Sequence, residues 1–367
     1  MTSAVIEVDR ARVMAYRVAA HELDRDAAGE PAVLDVGVQD TPAGTAVVAL
    51  AARGWTVPDD GSLVLTWSVR GAPHLHRRAD LTAVAEALWP LGDADATTRI
   101  TSTRMKEGAA LGVAAFRAAA EAMREVVTAP LPKGEVSRAV SDRVPPELTY
   151  WCEACGAQHI SGALFQQVGV AAGTRLVPGG RGTTLAPVDG WPGVPREAAG
   201  TDRLLAAYLR LQGPAAPADL AGFLGTTVTA VRPAVPDGLA EVRVDGRPRL
   251  LPADRVEALR SAAPPRGVRL LPASDPFLQT RDRDLLVPDR ARHKAIWRPL
   301  GSPGVLLADG EIRATWRART AGRGRLDVTV TPFEPLAAPA RAETERRAAR
   351  LAAARGAADV RVVWADA

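Results

Sequence analysis

The chain of 367 residues contains no asparagine, and only three of its 46 basic residues are lysines, Lys106, Lys133 and Lys294. Cysteine is nearly as scarce: Cys152 and Cys155 are the whole thiol inventory, which excludes a disulfide framework. Long apolar runs are missing too. No stretch approaches the ~18 uninterrupted apolar residues that a membrane span needs, and Arg10 and Arg12 interrupt the N-terminus before a signal-peptide core can form. The expectation is a soluble cytoplasmic protein without a membrane partner. No lysine follows a glycine, so a Walker A loop is excluded, and no H-E-x-x-H is present. Gly179-Gly180-Arg181-Gly182 is glycine-rich but lacks the strand and helix that a dinucleotide site requires.

A hydrophobic content of 47% with 24% charged residues is that of a globular chain. The length predicts roughly two to three domains. A formal charge of +4 is compatible with nucleic acid. Abundant alanine, arginine, glycine and proline point to G- and C-rich codons, however, which discounts the arginine excess as evidence.

The apolar periodicity predicts an amphipathic helix capped by Asp9 and running through Val13, Met14, Tyr16, Val18 and Leu23. Short helices are expected over Pro31–Val38 and Pro42–Arg53, then a hairpin formed by Leu63–Val69 and His74–His76. Helices followed by a two-stranded hairpin is the order of a winged helix. Further helices are expected at Leu81–Leu91, at Lys106–Val127 and, after a Gly/Pro-rich loop, at Thr201–Leu211. Two more short helices and a hairpin turning at Asp245-Gly246 repeat the winged-helix order. A helix around Arg341–Arg355 precedes a last strand, Val360–Val363. Its Arg341, Arg346, Arg347 and Arg350 read as solvated surface.

At Leu205-Ala-Ala-Tyr-Leu-Arg-Leu-Gln-Gly-Pro-Ala-Ala-Pro-Ala-Asp-Leu-Ala-Gly-Phe-Leu-Gly225 the chain resembles the AlkZ/YcaQ-type DNA glycosylases, a tandem winged-helix family. Asp275-Pro-Phe-Leu-Gln-Thr-Arg-Asp-Arg283, His293 through Trp297, Gly304–Gly310 and Trp316-Arg317 look like its C-terminal motifs. Arg70-Gly-Ala-Pro-His-Leu-His76 resembles its hairpin. The resemblance spans most of the chain. It implies an α+β fold in which tandem winged-helix units form a DNA-binding cradle beside a strand-rich C-terminal region. The expected segments are 1–130 (winged helix with a helical extension), 131–200 (a second winged-helix-like unit), 201–262 (a third) and 263–367 (β-rich).

The resemblance also implies removal of alkylated bases, or unhooking of interstrand crosslinks, from double-stranded DNA by a monomeric, nucleoid-associated hydrolase. The family's catalytic signature is glutamine, an apolar residue, then glutamine or aspartate. Gln39 matches it, whereas Asp40 stands at the apolar position and Thr41 at the second catalytic one. A carboxylate can stabilise an oxocarbenium-like sugar and accept a proton from water. A glutamine amide holds a water but cannot deprotonate it. Gln39, Asp40 and Thr41 are therefore the candidate catalytic residues. On a helix, neighbours point about 100° apart, so a break would have to aim Gln39 and Asp40 at one place. The competing reading has Asp40 or Thr41 capping the helix that opens at Pro42.

Arg70, His74, His76, Arg77 and Arg78 form the densest basic cluster of the N-terminal region and are candidates for DNA contact, with an ordinary solvated wing as the alternative. Cys152, Cys155 and His159 have the spacing of three zinc ligands, with no further cysteine to supply a fourth. The plainer alternative is small residues packed at a helix start. Catalysis requires no cofactor in this reading; the metal would be structural. The rival function is a non-catalytic DNA-binding protein or regulator.

Overall fold

The structure, a computed structural model, describes residues 6–26, 29–179 and 182–366; Gly180 and Arg181 of the glycine-rich loop lie outside the described residues. It is a mixed α+β chain with two compact units. One comprises Met1–Pro58, Ala207–Ala216 and Gly238–Ala367, the other Asp59–Ala206 and Pro217–Asp237. The units cut across the four segments expected from sequence, since the first 58 residues go with the C-terminal region.

The packing of helix Arg10–Ala20 explains why. Asp9 caps it through a bond from the Arg12 N–H, as expected. Val13, Ala15 and Tyr16 pack against Val242, Val244 and Leu251 of the hairpin Leu239–Val244/Arg247–Pro252. Met14 and Val18 pack instead against Leu271, Phe277 and Val305. The helix is thus buried on two sides by residues more than two hundred positions away. The hairpin turns at Asp245 (φ 46°) and Gly246 (φ 75°), the left-handed pair that a tight two-residue turn demands. Strand Ile6–Val8 adds to it in parallel.

The rest of this unit is a five-stranded sheet, Val268–Leu271, Gly304–Ala308, Glu311–Ala321, Arg325–Pro332 and Asp359–Trp364 in that order. Its last two strands are parallel, so a crossover must join them. Helix Ala338–Ala354 is that crossover, laying Ala348, Leu351 and Ala352 on the sheet beside Val48 of helix Thr45–Ala52.

In the second unit Trp67, Phe116, Met123, Leu164 and Phe165 centre the core. The hairpin Leu63–Trp67/Pro73–Arg77 forms as expected. The expected helix Lys106–Val127 is broken into Lys106–Ala110 and Val113–Val126. Gly112 between them has φ +60°, and a Cβ there would lie 2.3 Å from Asp93 Oδ1, the atom that accepts the Val113 N–H. The Pro-rich stretch around 130–146 is no unit boundary, because helix Lys133–Ser141 buries Val136 and Val140 in the same core.

The expected helix Pro31–Val38 is absent. Only Ala32–Asp35 coils, as one 3-10 turn, and Val38–Gln39 is extended. Val33, Leu34, Val36 and Val38 are all buried, so the apolar density that suggested a helix face reflects burial on every side. The following helix starts at Thr45 rather than Pro42, after Gly44 in the left-handed region.

Candidate active site

Gln39 ends the short strand Val38–Gln39 and is half-buried. Its amide makes no hydrogen bond with any described residue. The geometry differs from the expected helix break: Gln39 is strand, and Asp40 begins a turn leading into Thr45–Ala52. Asp40 Oδ1 accepts the Ala46 N–H at 2.9 Å, which ties its carboxylate to the first turn of that helix, where the backbone dipole favours negative charge. Its other oxygen has no partner among the described residues. The Asp40–Ala46 bond meets the second residue of a helix that opens at Thr45 behind Gly44, three residues later than the Pro42 start of the capping alternative. Thr41 is exposed, and its carbonyl accepts a hydrogen bond from Ser274 Oγ. Thr45 Oγ1 donates to the Pro42 carbonyl at 2.7 Å, closing the turn.

Sequence reasoning passed over Ser274, although it directly precedes the Asp275-Pro-Phe motif. Asp275 is fully buried in an ion pair with Arg53, at 2.8 and 2.9 Å, and also accepts the Phe277 N–H. Asp282 of the same motif clamps the buried Arg17 at 2.9 and 2.7 Å. These charges are scaffold: they lock helices Arg10–Ala20 and Thr45–Ala52 to the segment that carries Ser274. His21 lies fully buried beside Arg53, with Nδ1 3.4 Å from its guanidinium. Burial and then the Arg53 charge hold this imidazole well below its ordinary pKa.

The basic hairpin belongs to the second unit, and its histidines point inward. His74 and His76 are 5% and 1% exposed, too buried to touch a phosphate. Alternation along the strand puts both on one face, and that face is the core side. His74 Nδ1 donates to the Ala72 carbonyl at 2.9 Å, and His76 Nε2 meets Ser68 Oγ at 2.8 Å. Burial pushes their pKa values down to about 3 and about 4. Arg70, at the turn with φ 54°, donates to the Phe223 carbonyl. Arg77 pairs with Asp80 at 3.2 Å. Arg78 is exposed and donates to the Gly61 carbonyl at 2.8 Å. Of the five cluster residues, Arg78 alone is exposed.

Cys152, Cys155 and His159 also lie in the second unit, on a small hairpin of Thr149–Cys152 and Ala157–Ile160 rather than at a helix start. Both cysteines are free, and the Cys155 backbone N–H beside Cys152 holds that thiol below its usual pKa range. A cleft of about 330 Å³ in the first unit, lined by Tyr16, Arg25, Arg210 and Arg255 among others, contains none of the predicted site residues. Nor does one of about 770 Å³ in the second unit, beside Arg117, Arg124, Trp191 and Arg196.

The family model described as DNA glycosylase AlkZ-like matches residues 36–354, from the strand of Gln39 to the C-terminal crossover helix. The chain belongs to that family. The interstrand DNA cross-link repair glycosylase of Streptomyces sahachiroi is 31% identical over 174 residues, an alignment spanning 44% of this chain and 44% of that protein. The solved structure of Streptomyces sahachiroi DNA glycosylase AlkZ superposes with a TM-score of 0.73 at 20% identity, covering 98% of this chain and 100% of that one. The AlkZ-like fold is thus present along nearly the whole chain. No helix among the described residues is long and apolar enough to cross a membrane.

Proposed function

We propose that this AlkZ-like chain is a monofunctional DNA glycosylase that hydrolyses the N-glycosidic bond of N7-alkylated purines in duplex DNA. Its winged-helix-type hairpins would contact the duplex. The observation that carries the reading is Gln39: a family-matched amide, half-buried and without a partner among the described residues, beside a carboxylate with one oxygen likewise uncommitted. An N7-alkylated purine is cationic and leaves as a neutral base without protonation. What remains is to stabilise the oxocarbenium-like sugar and to deliver water to C1′. Gln39 would hold the water, and Asp40 would supply negative charge and accept its proton. Thr41 would contribute a hydroxyl on the exposed side of the turn. Crosslinked DNA is a second substrate of interest, given the name of the Streptomyces sahachiroi relative.

The Asp40–Ala46 bond favours one rival, a non-catalytic DNA-binding protein in which Asp40 serves the helix alone. Single-turnover release of N7-methylguanine from duplex DNA separates the two. The glycosylase reading expects release by the native chain and a drop of about 100-fold or more in Gln39→Ala and Asp40→Asn, the scale of lost acid–base and electrostatic groups. Intact DNA binding with no release from methylated or crosslinked duplexes would establish the rival.

A further inference from the structure

The CxxC hairpin lies outside everything the proposed glycosylase chemistry uses, and it is built like a metal knuckle. Strand Thr149–Cys152 ends at the first cysteine, and the chain turns back on it. The Cys155 and Gly156 N–H groups both donate to the Cys152 carbonyl, at 3.1 and 2.8 Å. Gly156 has φ +59°, so the residue after the second cysteine takes the left-handed conformation that lets the loop curl beneath a ligand. Strand Ala157–Ile160 then returns in register, with Ala157 opposite Cys152 and His159 opposite Tyr150. Residues 150 and 152 share one face, and their partners 157 and 159 share it too. His159 is thereby carried to the side of the sheet on which Cys152 lies.

We propose that Cys152, Cys155 and His159 form a zinc site. The two sulfurs and one imidazole nitrogen lie within 4.8 Å of one another. Tetrahedral bonds of ~2.3 Å to sulfur and ~2.0–2.1 Å to nitrogen would set donors about 3.5–3.8 Å apart, so the loop has to close by about 1 Å. Beyond its chain neighbours, nothing lies within 4 Å of where a Cβ would stand on Gly156, so the loop is open on that side. His159 Nε2 is a buried nitrogen without a hydrogen-bond partner among the described residues, a cost that metal binding would relieve. Thiolate and imidazole donors select zinc over magnesium or calcium. On binding, the two thiols release their protons to solvent, and the neutral imidazole donates its lone pair.

No fourth histidine, cysteine, aspartate or glutamate joins the group among the described residues. Three protein ligands would leave the fourth tetrahedral position open to solvent. The site's role is structural. An isolated two-stranded hairpin is marginal in water, and this one anchors in the core chiefly through Leu148 and Ile160 at its base, leaving Trp151, Cys155 and Gly156 exposed at the tip. A metal across the tip would fix the end that packing does not reach.

The test uses the full chain purified under reducing conditions without added chelator. Elemental analysis after dialysis against metal-free buffer is expected to find about one zinc per chain. Both thiols should resist a thiol reagent until a strong chelator is added. Replacement of zinc by cobalt(II) should give a near-ultraviolet thiolate charge-transfer band, absent in Cys155→Ser and altered in His159→Ala. Circular dichroism checks that the variants fold, and Cys155 is exposed enough for its substitution to be benign. A metal-free native chain whose thiols react at once, and which gives no cobalt–thiolate band, overturns the proposal, a result that needs no variant. Stoichiometric zinc retained by Cys155→Ser, or an unchanged cobalt spectrum in His159→Ala, overturns it as well.

Discussion

At the scale of single residues, Asp40 is where structure and proposed chemistry compete for one side chain. Asparagine keeps an acceptor for the Ala46 N–H but loses the charge, whereas alanine loses both. We expect Asp40→Ala to cost about 1 kcal/mol in stability, the usual worth of such a helix-terminal bond, and Asp40→Asn to cost little. If urea unfolding ranks the two variants equally, the Asp40–Ala46 bond does not stabilise the helix. Base release falling equally in both assigns the deficit to charge. The Arg53–Asp275 pair is a second residue-scale case, because both side chains are wholly buried. Arg53→Met strands a buried carboxylate and should destabilise by roughly 3–5 kcal/mol, while the double change Arg53→Met with Asp275→Leu should recover part of the loss. A double variant no more stable than the single one would contradict that account.

Titration adds a third. With folded pKa values of about 3 and 4, His74 and His76 stay neutral in the native chain. The unfolded chain protonates them near 6.5, so it binds more protons throughout the interval between. Their neutral form therefore leaves stability whole above pH 6.5 and erodes it as pH falls towards 4, by an amount on the order of a few kcal/mol. His21 acts in the same direction in the first unit. Urea midpoints at pH 7 and pH 4.5 should show the fall, and His76→Gln should lessen it. A fall identical in native chain and variant would remove His76 from the cause.

At the scale of elements, two hairpins were legible from sequence, whereas the CxxC hairpin and several helix limits were not. Alternation in Leu63–Trp67 and the Asp245-Gly246 pair are local signals, and local backbone preferences decide tight turns. The break at Gly112 was not legible, since glycine inside an alanine-rich run looks tolerable until Asp93 is placed beside it. Gly112→Ala should cost about 1–3 kcal/mol from the positive-φ backbone alone, with the Asp93 contact adding to it. Thermal unfolding no different from the native chain would mean that the two helices can fuse at no cost. The turn 40–45 was half legible. The sequence named Asp40 as either catalytic or capping, but only the fold shows which N–H it meets and that Ser274 holds the Thr41 carbonyl.

At the scale of the whole molecule, the proposed glycosylase must first hold a duplex. The affinity for undamaged DNA is expected to fall steeply with salt, with a slope near 0.9 for each phosphate contacted. Arg78→Ala should lessen that slope by about one such contact, whereas His76→Gln should leave it unchanged because His76 is buried. A salt-independent affinity would remove the phosphate-binding part of the proposal. The AlkZ-like family membership was readable because its motifs lie along the chain in order, and they do so because they build the scaffold: Asp275 and Asp282 each neutralise a buried arginine.

The sequence by itself determined the α+β class, the turns, the Asp9 cap and the spacing of Cys152, Cys155 and His159, all set by preferences acting over a few residues. Tertiary structure alone decided that residues 1–58 fold with the C-terminal sheet, that the two hairpin histidines face inward and that Asp40 meets Ala46. These depend on which distant surfaces bury which face of a helix or strand, and periodicity reports that a face is buried without saying against what.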